Sequence, residues 1–321
     1  VPQAFLDDHR TWVDRLVQMA RTTVLIGAGV IAARFLDLDR KDLRGLANFV
    51  WYFALPALVI RAFVLHPISD FLHLNYLLLY LTASLLTFGI ALSVARFARG
   101  KSLTESALIA LGSSTSNSGF VGFPVASLAV GPLAPIGLAL NMIVENLVTM
   151  PAAIALAEEG QRGGGRALKA LRDSAVSFAR NPLILSLIAG AAISASGFDF
   201  KGIALFHAVD MLANASGAVA LFIVGATLAS TRAGGSLLPD AAQVSAGKLF
   251  LHPLCVFAVS FLMPGLEPEM RKMAIVYAAS PMLTVYPIIG HRSGFQEMTS
   301  AALLMATTAS FFTISIMLAL V

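Results

Sequence analysis

The chain has 321 residues, of which 57% are hydrophobic and only 12% are charged, and its mean hydropathy is +0.80. An ordinary soluble domain carries about 25% charged residues, so this composition excludes a soluble globular protein and indicates an integral membrane protein. The formal net charge of +4 gives no reason to expect nucleic-acid binding, because membrane proteins collect basic residues in their cytoplasmic connections.

Apolar runs recur along nearly the whole chain and leave no room for a soluble domain. Each is near or above the roughly 20 residues that a helix needs to cross a bilayer core. The start, "VPQAFLDDHRTWVDRL", lacks a signal-peptide pattern and is interpreted as a polar lead into the first span. We predict ten transmembrane helices, at 16–36, 44–63, 72–96, 104–130, 132–157, 182–198, 203–230, 240–263, 271–290 and 296–321.

The longest polar connection lies between the fifth and sixth predicted helices and divides the ten into five and five. We therefore expect a first five-helix repeat at 1–158, a connection at 159–181 and a second five-helix repeat at 182–321. The single cysteine, Cys255, falls inside a predicted helix, which excludes a disulfide and a zinc site built from cysteines.

Basic residues are distributed unevenly over the two sides of the predicted bundle. Fourteen of the 22 Lys and Arg residues follow the odd-numbered helices, and six lie on the opposite side. The positive-inside rule then predicts a cytoplasmic central connection and both termini outside the bacterial inner membrane. In that connection Arg166, Lys169 and Arg172 share a helical face, which could contact anionic membrane lipid or belong to a solvated linker.

The two halves of the chain resemble each other at a nearly constant offset. Pro124 and Pro287 are 163 residues apart, "LAN" at 46–48 recurs at 212–214, and the fifth and tenth helices begin 164 residues apart. Because five is an odd number, a second copy must cross the bilayer in the opposite direction. This pattern predicts inverted repeats, which are typical of secondary transporters with a substrate site near mid-membrane.

Polar residues, glycines and prolines interrupt the fourth and ninth predicted helices at matching positions. A proline frees backbone carbonyls that must find partners in protein or in a wet cavity. We expect both helices to break at mid-depth and to supply a substrate site. The alternative is a pair of kinked helices whose hydroxyls bond their own backbone. The predicted substrate residues are Ser116, Asn117, Ser118, Gly119, Gly122, Ser280, Pro281 and Thr284, and the predicted helix-breaking residues are Pro124, Pro281 and Pro287.

Other polar residues lie deep in predicted helices. Asn141 and Glu145 are four residues apart on one helical face, and Asn141 is a further substrate-binding candidate. Intramembrane carboxyl groups normally face a cavity or a partner, so Glu145 is a candidate for proton coupling or a structural residue. Lys248 could balance Glu145, attract an anion or extend to the interface. Asn48, which could line the cavity or bond a neighbouring helix, is with Glu145 and Lys248 a predicted ion-coupling residue. No histidine pair has metal-ligand spacing, so we expect no metal site and no cofactor.

Four ordered motifs resemble those of the auxin efflux carrier family in its bacterial form: "NSGFVGFP" at 117–124, "RNPLI" at 180–184, "ALFIVGATLA" at 220–229 and "KLFLHP" at 248–253. The resemblance covers essentially the whole chain. It implies an all-α membrane protein of ten helices in two inverted five-helix repeats, with crossing broken helices four and nine, as in bile-acid symporters and some sodium/proton antiporters. It also implies transport of a small organic anion such as auxin or malonate, with Asn117 matching an amide in the first crossover. Ser118 stands where threonine is common in the family.

The expected function is therefore secondary active transport of a small organic anion by an elevator or rocking mechanism. A passive channel could use the same polar break as a filter. An intramembrane serine enzyme is disfavoured, because "SNSG" at 116–119 lacks a glycine two residues before the serine. The sequence leaves open the identity of the anion, coupling to H⁺ or Na⁺, the direction of transport and the formation of a homodimer.

Overall fold

The computed structural model describes residues 24–36, 38, 40–65, 73–162, 176, 179–197, 200, 202–230 and 238–320. The predicted polar lead lies outside this part of the chain, as does most of the central connection with Arg166, Lys169 and Arg172. All regular secondary structure within the described part is helical, which confirms the all-helical prediction.

The described helices follow the predicted apolar segments closely. The first predicted segment overlaps a described helix only in its second half, and the fourth and ninth overlap two helices each. The helices are α1 Val24–Phe35, α2 40–65, α3 74–98, α4 Leu103–Ser114, α5 118–130, α6 134–162, α7 Pro182–Ala195, α8 Ala204–Ser230, α9 238–260, α10 Pro268–Ala279, α11 Tyr286–Arg292 and α12 Gln296–Leu320.

Five helical stretches of the described chain are long and apolar enough to cross a bilayer: Lys41–Leu65, Leu74–Ala98, Leu103–Gln161, Ala204–Thr227 and Pro239–Ser260. The third of these has 59 residues and contains α4, α5 and α6. Large apolar side chains such as Phe97 and Leu262 are 84% and 75% exposed. A surface of this kind is costly in water and suits contact with lipid.

Small residues bring neighbouring helices into close contact. In α7, a Cβ atom added to Gly190 would lie 2.8 Å from Cδ2 of Phe63 in α2. In α1, Gly29 packs against the backbone of Phe222 in α8, and Gly225 of α8 packs against Ile26 of α1. Close approach at glycine is a common way for transmembrane helices to gain packing energy, because lipid tails and apolar side chains are equally hydrophobic.

Several helices contain a widened π turn, a feature that often marks functional sites. An i→i−5 turn holds one extra residue and so changes the face on which the following side chains lie. Two of the turns carry ionisable residues of the predicted site, Glu145 in α6 and Lys248 in α9. The turns in the described chain are Val50–Ala54, Val94–Ala98, Ser118–Gly122, Glu145–Thr149 and Gly247–Leu251.

Two stretches without helix lie within the predicted fourth and ninth segments. The first, 115–117, separates α4 from α5, and the second, 280–285, separates α10 from α11. They touch directly, because the backbone N–H of Asn117 donates to the carbonyl of Pro281 at 2.7 Å. This bond satisfies two backbone groups that the interruptions would otherwise leave unpaired.

The three predicted helix-breaking prolines lie at different places relative to these stretches. Pro281 is inside the second stretch, and Pro287 lies in the first turn of α11. Pro124 lies in α5, directly after the π turn, where Gly122 and Phe123 bond the carbonyls of Asn117 and Ser118. The non-helical stretch in the fourth predicted segment therefore lies before Pro124. Within α5, the π turn accommodates the missing N–H of this proline.

Candidate substrate and ion site

Asn117 lies where α5 begins and joins the two non-helical stretches. Its side-chain oxygen accepts a hydrogen bond from the N–H of Phe120 at 3.2 Å, so the residue is the N-cap of α5. No residue in the described chain accepts a hydrogen bond from its side-chain Nδ2. The residue is 5% exposed, and it lines a cavity, so its two amide N–H groups remain available to a ligand there.

That cavity has a volume of about 370 Å³. Its wall includes both interrupted regions, with Asn117 and Phe120 from the first and Thr284 and Pro287 from the second. Arg44 of α2 is the one charged side chain among the described residues that line it, and the other polar groups of these residues are neutral hydroxyl and amide groups. A small cavity with an arginine and neutral donors is suited to an organic anion.

Residues of the second stretch divide between the cavity and the interior. Thr284 is exposed to the cavity, whereas Ser280 is fully buried and donates to the carbonyl of Val276 at 3.3 Å. A Cβ atom added to Gly122 would lie 2.7 Å from Tyr277 and 3.3 Å from the Ser280 hydroxyl. Gly122 therefore permits α5 to pack against the end of α10. At Gly119 the nearest neighbour of such an atom would be Leu55, at 3.0 Å.

Glu145 is 3% exposed and lies behind the first stretch. Its Oε1 accepts three hydrogen bonds, from the Ser118 hydroxyl at 2.9 Å, the Ser116 backbone N–H at 3.1 Å and the Tyr80 hydroxyl at 3.3 Å. Two of these donors belong to the interrupted region itself. A change in the protonation of Glu145 would therefore change contacts made by the same segment that lines the cavity.

Lys248 is completely buried and faces the first stretch from α9. Its Nζ donates to the Ser116 hydroxyl at 2.7 Å and to the carbonyl of Ala278 at 2.8 Å, and lies 2.6 Å from Nδ1 of His252. The other ring nitrogen of His252 lies 3.1 Å from the hydroxyl of Ser84. Within the described chain Glu145 and Lys248 form no direct ion pair, and Ser116 connects them through its N–H and its hydroxyl.

Of the predicted site residues, only Asn117, Thr284 and Pro287 are among the described residues that line the cavity, and Asn141 and Asn48 are among those that do not. Asn141 is fully buried, its oxygen accepts a 3.1 Å hydrogen bond from Tyr76, and its Nδ2 has no partner in the described chain. Asn48 is exposed on α2. Their predicted roles in substrate binding and ion coupling stay predictions. The repeat-related Asn214 instead accepts from Arg61 at 2.6 Å, and Arg61 also forms an ion pair with Asp210.

A family described as "Membrane transport protein" matches residues 15–157 and 158–318. The chain belongs to this family. It is also 28% identical over 300 residues, covering 92% of each chain, to a protein of Rhizobium meliloti (strain 1021) named "Putative malonate transporter". The resemblance to auxin efflux carriers is confirmed, and the chain is an integral membrane transport protein rather than an enzyme.

Several residues of the site in this membrane transport protein are not evident from the sequence. Tyr80, His252 and Ser84 complete the buried network around Glu145 and Lys248. One indication of this network was present in the sequence. Lys248 and His252 are four residues apart, as are Tyr76 and Tyr80, so each pair lies on one face of its helix. The sequence offered no comparable indication for Arg44, because it was one of many basic residues at the predicted cytoplasmic helix ends.

Proposed function

We propose that this protein is a secondary active transporter of a small organic anion, bound where the cavity reaches Asn117. The observation that carries the proposal is a cavity of about 370 Å³ lined by both interrupted helices, with Arg44 as the one charged residue in the described part of its wall. The arginine favours an anion over a cation, because a cation would be repelled by it and would find no carboxylate among the described lining residues. Neutral amide and hydroxyl groups can then fix the orientation of a carboxylate.

The proposed architecture is ten transmembrane helices in two inverted five-helix repeats, with α4/α5 and α10/α11 as the broken fourth and ninth helices. The hydrogen bond from Asn117 to Pro281 and the packing of Gly122 against Tyr277 support a crossing of the two breaks. A broken helix at mid-membrane is stable only where it lines a cavity or is covered by protein, and both conditions are met here.

We further propose that the cavity opens to the cytoplasm and that both termini lie outside the inner membrane. The rim residues Arg44 and Gln296 belong to helix ends that the positive-inside rule places in the cytoplasm. The conformation is then an inward-facing one, and alternating access requires the cavity to close on this side and open on the other. A second cavity of about 220 Å³, lined by His73, Asn75 and Glu267 among others, lies at the proposed outer ends of α3 and α10.

The name of the Rhizobium relative favours a short dicarboxylate such as malonate as the substrate. Coupling to protons would use Glu145, whose carboxylate bonds the interrupted segment through Ser116 and Ser118. A homodimer and contacts of the basic connection with anionic lipid remain parts of this proposal.

Transport by purified protein in proteoliposomes tests the proposal. Mono- and dicarboxylates are offered under an imposed pH gradient, an imposed Na⁺ gradient and no gradient, and empty liposomes are the control. We expect saturable uptake of at least one carboxylate and accumulation above equilibrium under a gradient of one ion. Saturable transport without accumulation would indicate a facilitator, non-saturable flux a channel, and the absence of carboxylate transport would contradict the proposed substrate class.

A further inference from the structure

The ammonium group of Lys248 makes as many hydrogen bonds as it has protons. Its three neighbours are the Ser116 hydroxyl at 2.7 Å, the Ala278 carbonyl at 2.8 Å and Nδ1 of His252 at 2.6 Å. The side chain has no exposed surface. A buried ammonium is stable only when its charge and all of its donors are compensated, and this arrangement compensates every donor.

Two of these neighbours lie at the C-terminal ends of interrupted helices. Ser116 follows α4, which ends at Ser114, and Ala278 lies in the last turn of α10, which ends at Ala279. Each helix C-terminus carries about half a negative charge because its last carbonyls lack intrahelical partners. The ammonium therefore contacts a carbonyl at the negative end of α10 and a hydroxyl in the stretch between α4 and α5, and it connects the two interruptions.

The atoms around the ammonium group are of the kinds that coordinate small cations. A hydroxyl oxygen, a backbone carbonyl oxygen and an imidazole nitrogen contact Nζ directly, and the Glu145 carboxylate is linked to Ser116 by the 3.1 Å bond to its backbone N–H. Broken helices that expose carbonyl oxygens and C-terminal ends are a known way of binding Na⁺ in transporters. Here the site is occupied by a side chain of the chain itself.

We propose that Lys248 is a built-in cation: its ammonium occupies a monovalent-cation site between the interrupted helices and replaces a free ion there. The protein then needs no Na⁺ or K⁺ at this position in order to hold the two interruptions together. Removal of the lysine side chain leaves the oxygen and nitrogen ligands in place and creates a site for a small monovalent cation. This inference does not depend on the identity of the transported substrate.

The test compares Lys248→Ala with the wild type by thermal melting in detergent. Ammonium, methylammonium, sodium, potassium and choline chloride are used at equal ionic strength. We expect the variant to melt at a lower temperature than the wild type in choline chloride. At least one small cation should raise its melting temperature in a saturable way, because a ligand that binds only the folded state stabilises it by mass action. Choline is too large for the space of one ammonium group and should not do so.

Lys248→Met is the matched control, because its side chain lacks the charge but fills much of the space of the lysine. Its melting temperature should depend little on the cation. A second variant, Ser116→Ala combined with Lys248→Ala, removes one oxygen ligand and should need a several-fold higher cation concentration for the same stabilisation.

Two results would overturn the proposal. One is a melting temperature of Lys248→Ala that is the same in all five salts. Failure of Lys248→Ala to fold in any of the five salts counts as the same result. The other is a Lys248→Met variant whose melting temperature rises with the same cation as much as that of Lys248→Ala, because methionine fills the space that the cation would need. Because melting is measured without transport, these results are independent of whether the proposed carboxylate transport is found.

Discussion

Asn117 and Pro281 are 164 positions apart in the sequence and are joined by a 2.7 Å backbone hydrogen bond. The bond connects the two stretches at which the fourth and ninth predicted helices are interrupted. The side chain of Asn117 lies at the wall of the cavity, which Thr284 of the second stretch also lines. Substitutions at Asn117 therefore test the proposed substrate site directly.

Asn117→Ala should weaken binding of a carboxylate substrate at least about tenfold. A hydrogen bond to a charged group contributes about 1.5–3 kcal/mol, and each 1.4 kcal/mol corresponds to roughly a factor of ten in affinity. Asn117→Asp should weaken binding further, because it places a negative charge beside the bound anion. Substrate affinity is measured on purified protein by substrate-induced thermal stabilisation.

The same pair of variants separates binding from folding. Alanine also removes the N-cap bond to Phe120, whereas aspartate keeps an acceptor for it. The aspartate variant should therefore melt at least as high as the alanine variant while binding the anion less well. Tighter binding by Asn117→Asp would indicate a cation site, and wild-type affinity in both variants would remove the binding role of Asn117.

Arg44→Gln should raise the KM for anion transport several-fold from the cytoplasmic side and should reduce the dependence of transport on ionic strength. The arginine is exposed at the cavity, and an anion is attracted to it before it reaches Asn117. Arg34→Gln is the matched control, since Arg34 is an exposed arginine on the same proposed side that does not line the cavity. Equal effects of the two substitutions would show that only the general surface charge matters.

Glu145→Gln should abolish the dependence of transport on an imposed pH gradient while substrate exchange continues. The amide keeps an acceptor oxygen for Ser118 and Tyr80 but cannot take up or release a proton. Uptake and exchange are compared in proteoliposomes, with melting as the measure of folding. If a pH gradient drives transport by this variant as strongly as by the wild type, Glu145 has only a structural role.

Labelling of introduced cysteines checks the proposed orientation. Ser293→Cys, in the connection between α11 and α12, should react with a membrane-impermeant thiol reagent only from the cytoplasm, and Ser196→Cys, after α7, only from outside. The native Cys255 is buried, so the unmodified protein provides the background. Labelling from the opposite sides would reverse the topology and place the cavity mouth outside.

Lys101→Ala should lower the free energy of unfolding by about 1 kcal/mol at neutral pH and low salt. Lys101 bridges the two halves, with Asp240 at 2.8 Å and Glu105 at 2.7 Å, and Arg99 also contacts Asp240. Burial alone would lower the pKa of Lys101, but the bonds to Asp240 and Glu105 outweigh it and raise the pKa. Its contribution is therefore complete at neutral pH and is lost as the pH rises through that raised value.

Chemical denaturation at two salt concentrations measures this effect. Lys272→Ala removes a half-buried lysine that has no ion pair in the described chain, and it should change stability little. A loss of stability in Lys101→Ala that is the same at low and high salt would show that packing of the side chain, and not its charge, stabilises the contact.

The sequence by itself determined the features that depend on local composition. A run of apolar residues must be helical in a bilayer, because its backbone groups have no other partners there. Polar residues and prolines within such runs therefore located the interruptions next to Asn117 and Pro281 before any contact was known. The matching positions of these residues in the two halves also indicated that the interruptions belong together.

Only the tertiary structure decided which side chains meet at the interruptions. Ser116 and Lys248 are 132 positions apart, and Tyr80 and Glu145 are 65 positions apart, so no local pattern pairs them. The bond between Tyr76 and Asn141, which are also 65 positions apart, has the same cause. Whether a charge is buried depends on the packing of several helices around it. From the sequence alone, the side chain of Lys248 could extend to the membrane interface, balance the charge of Glu145 or attract an anion.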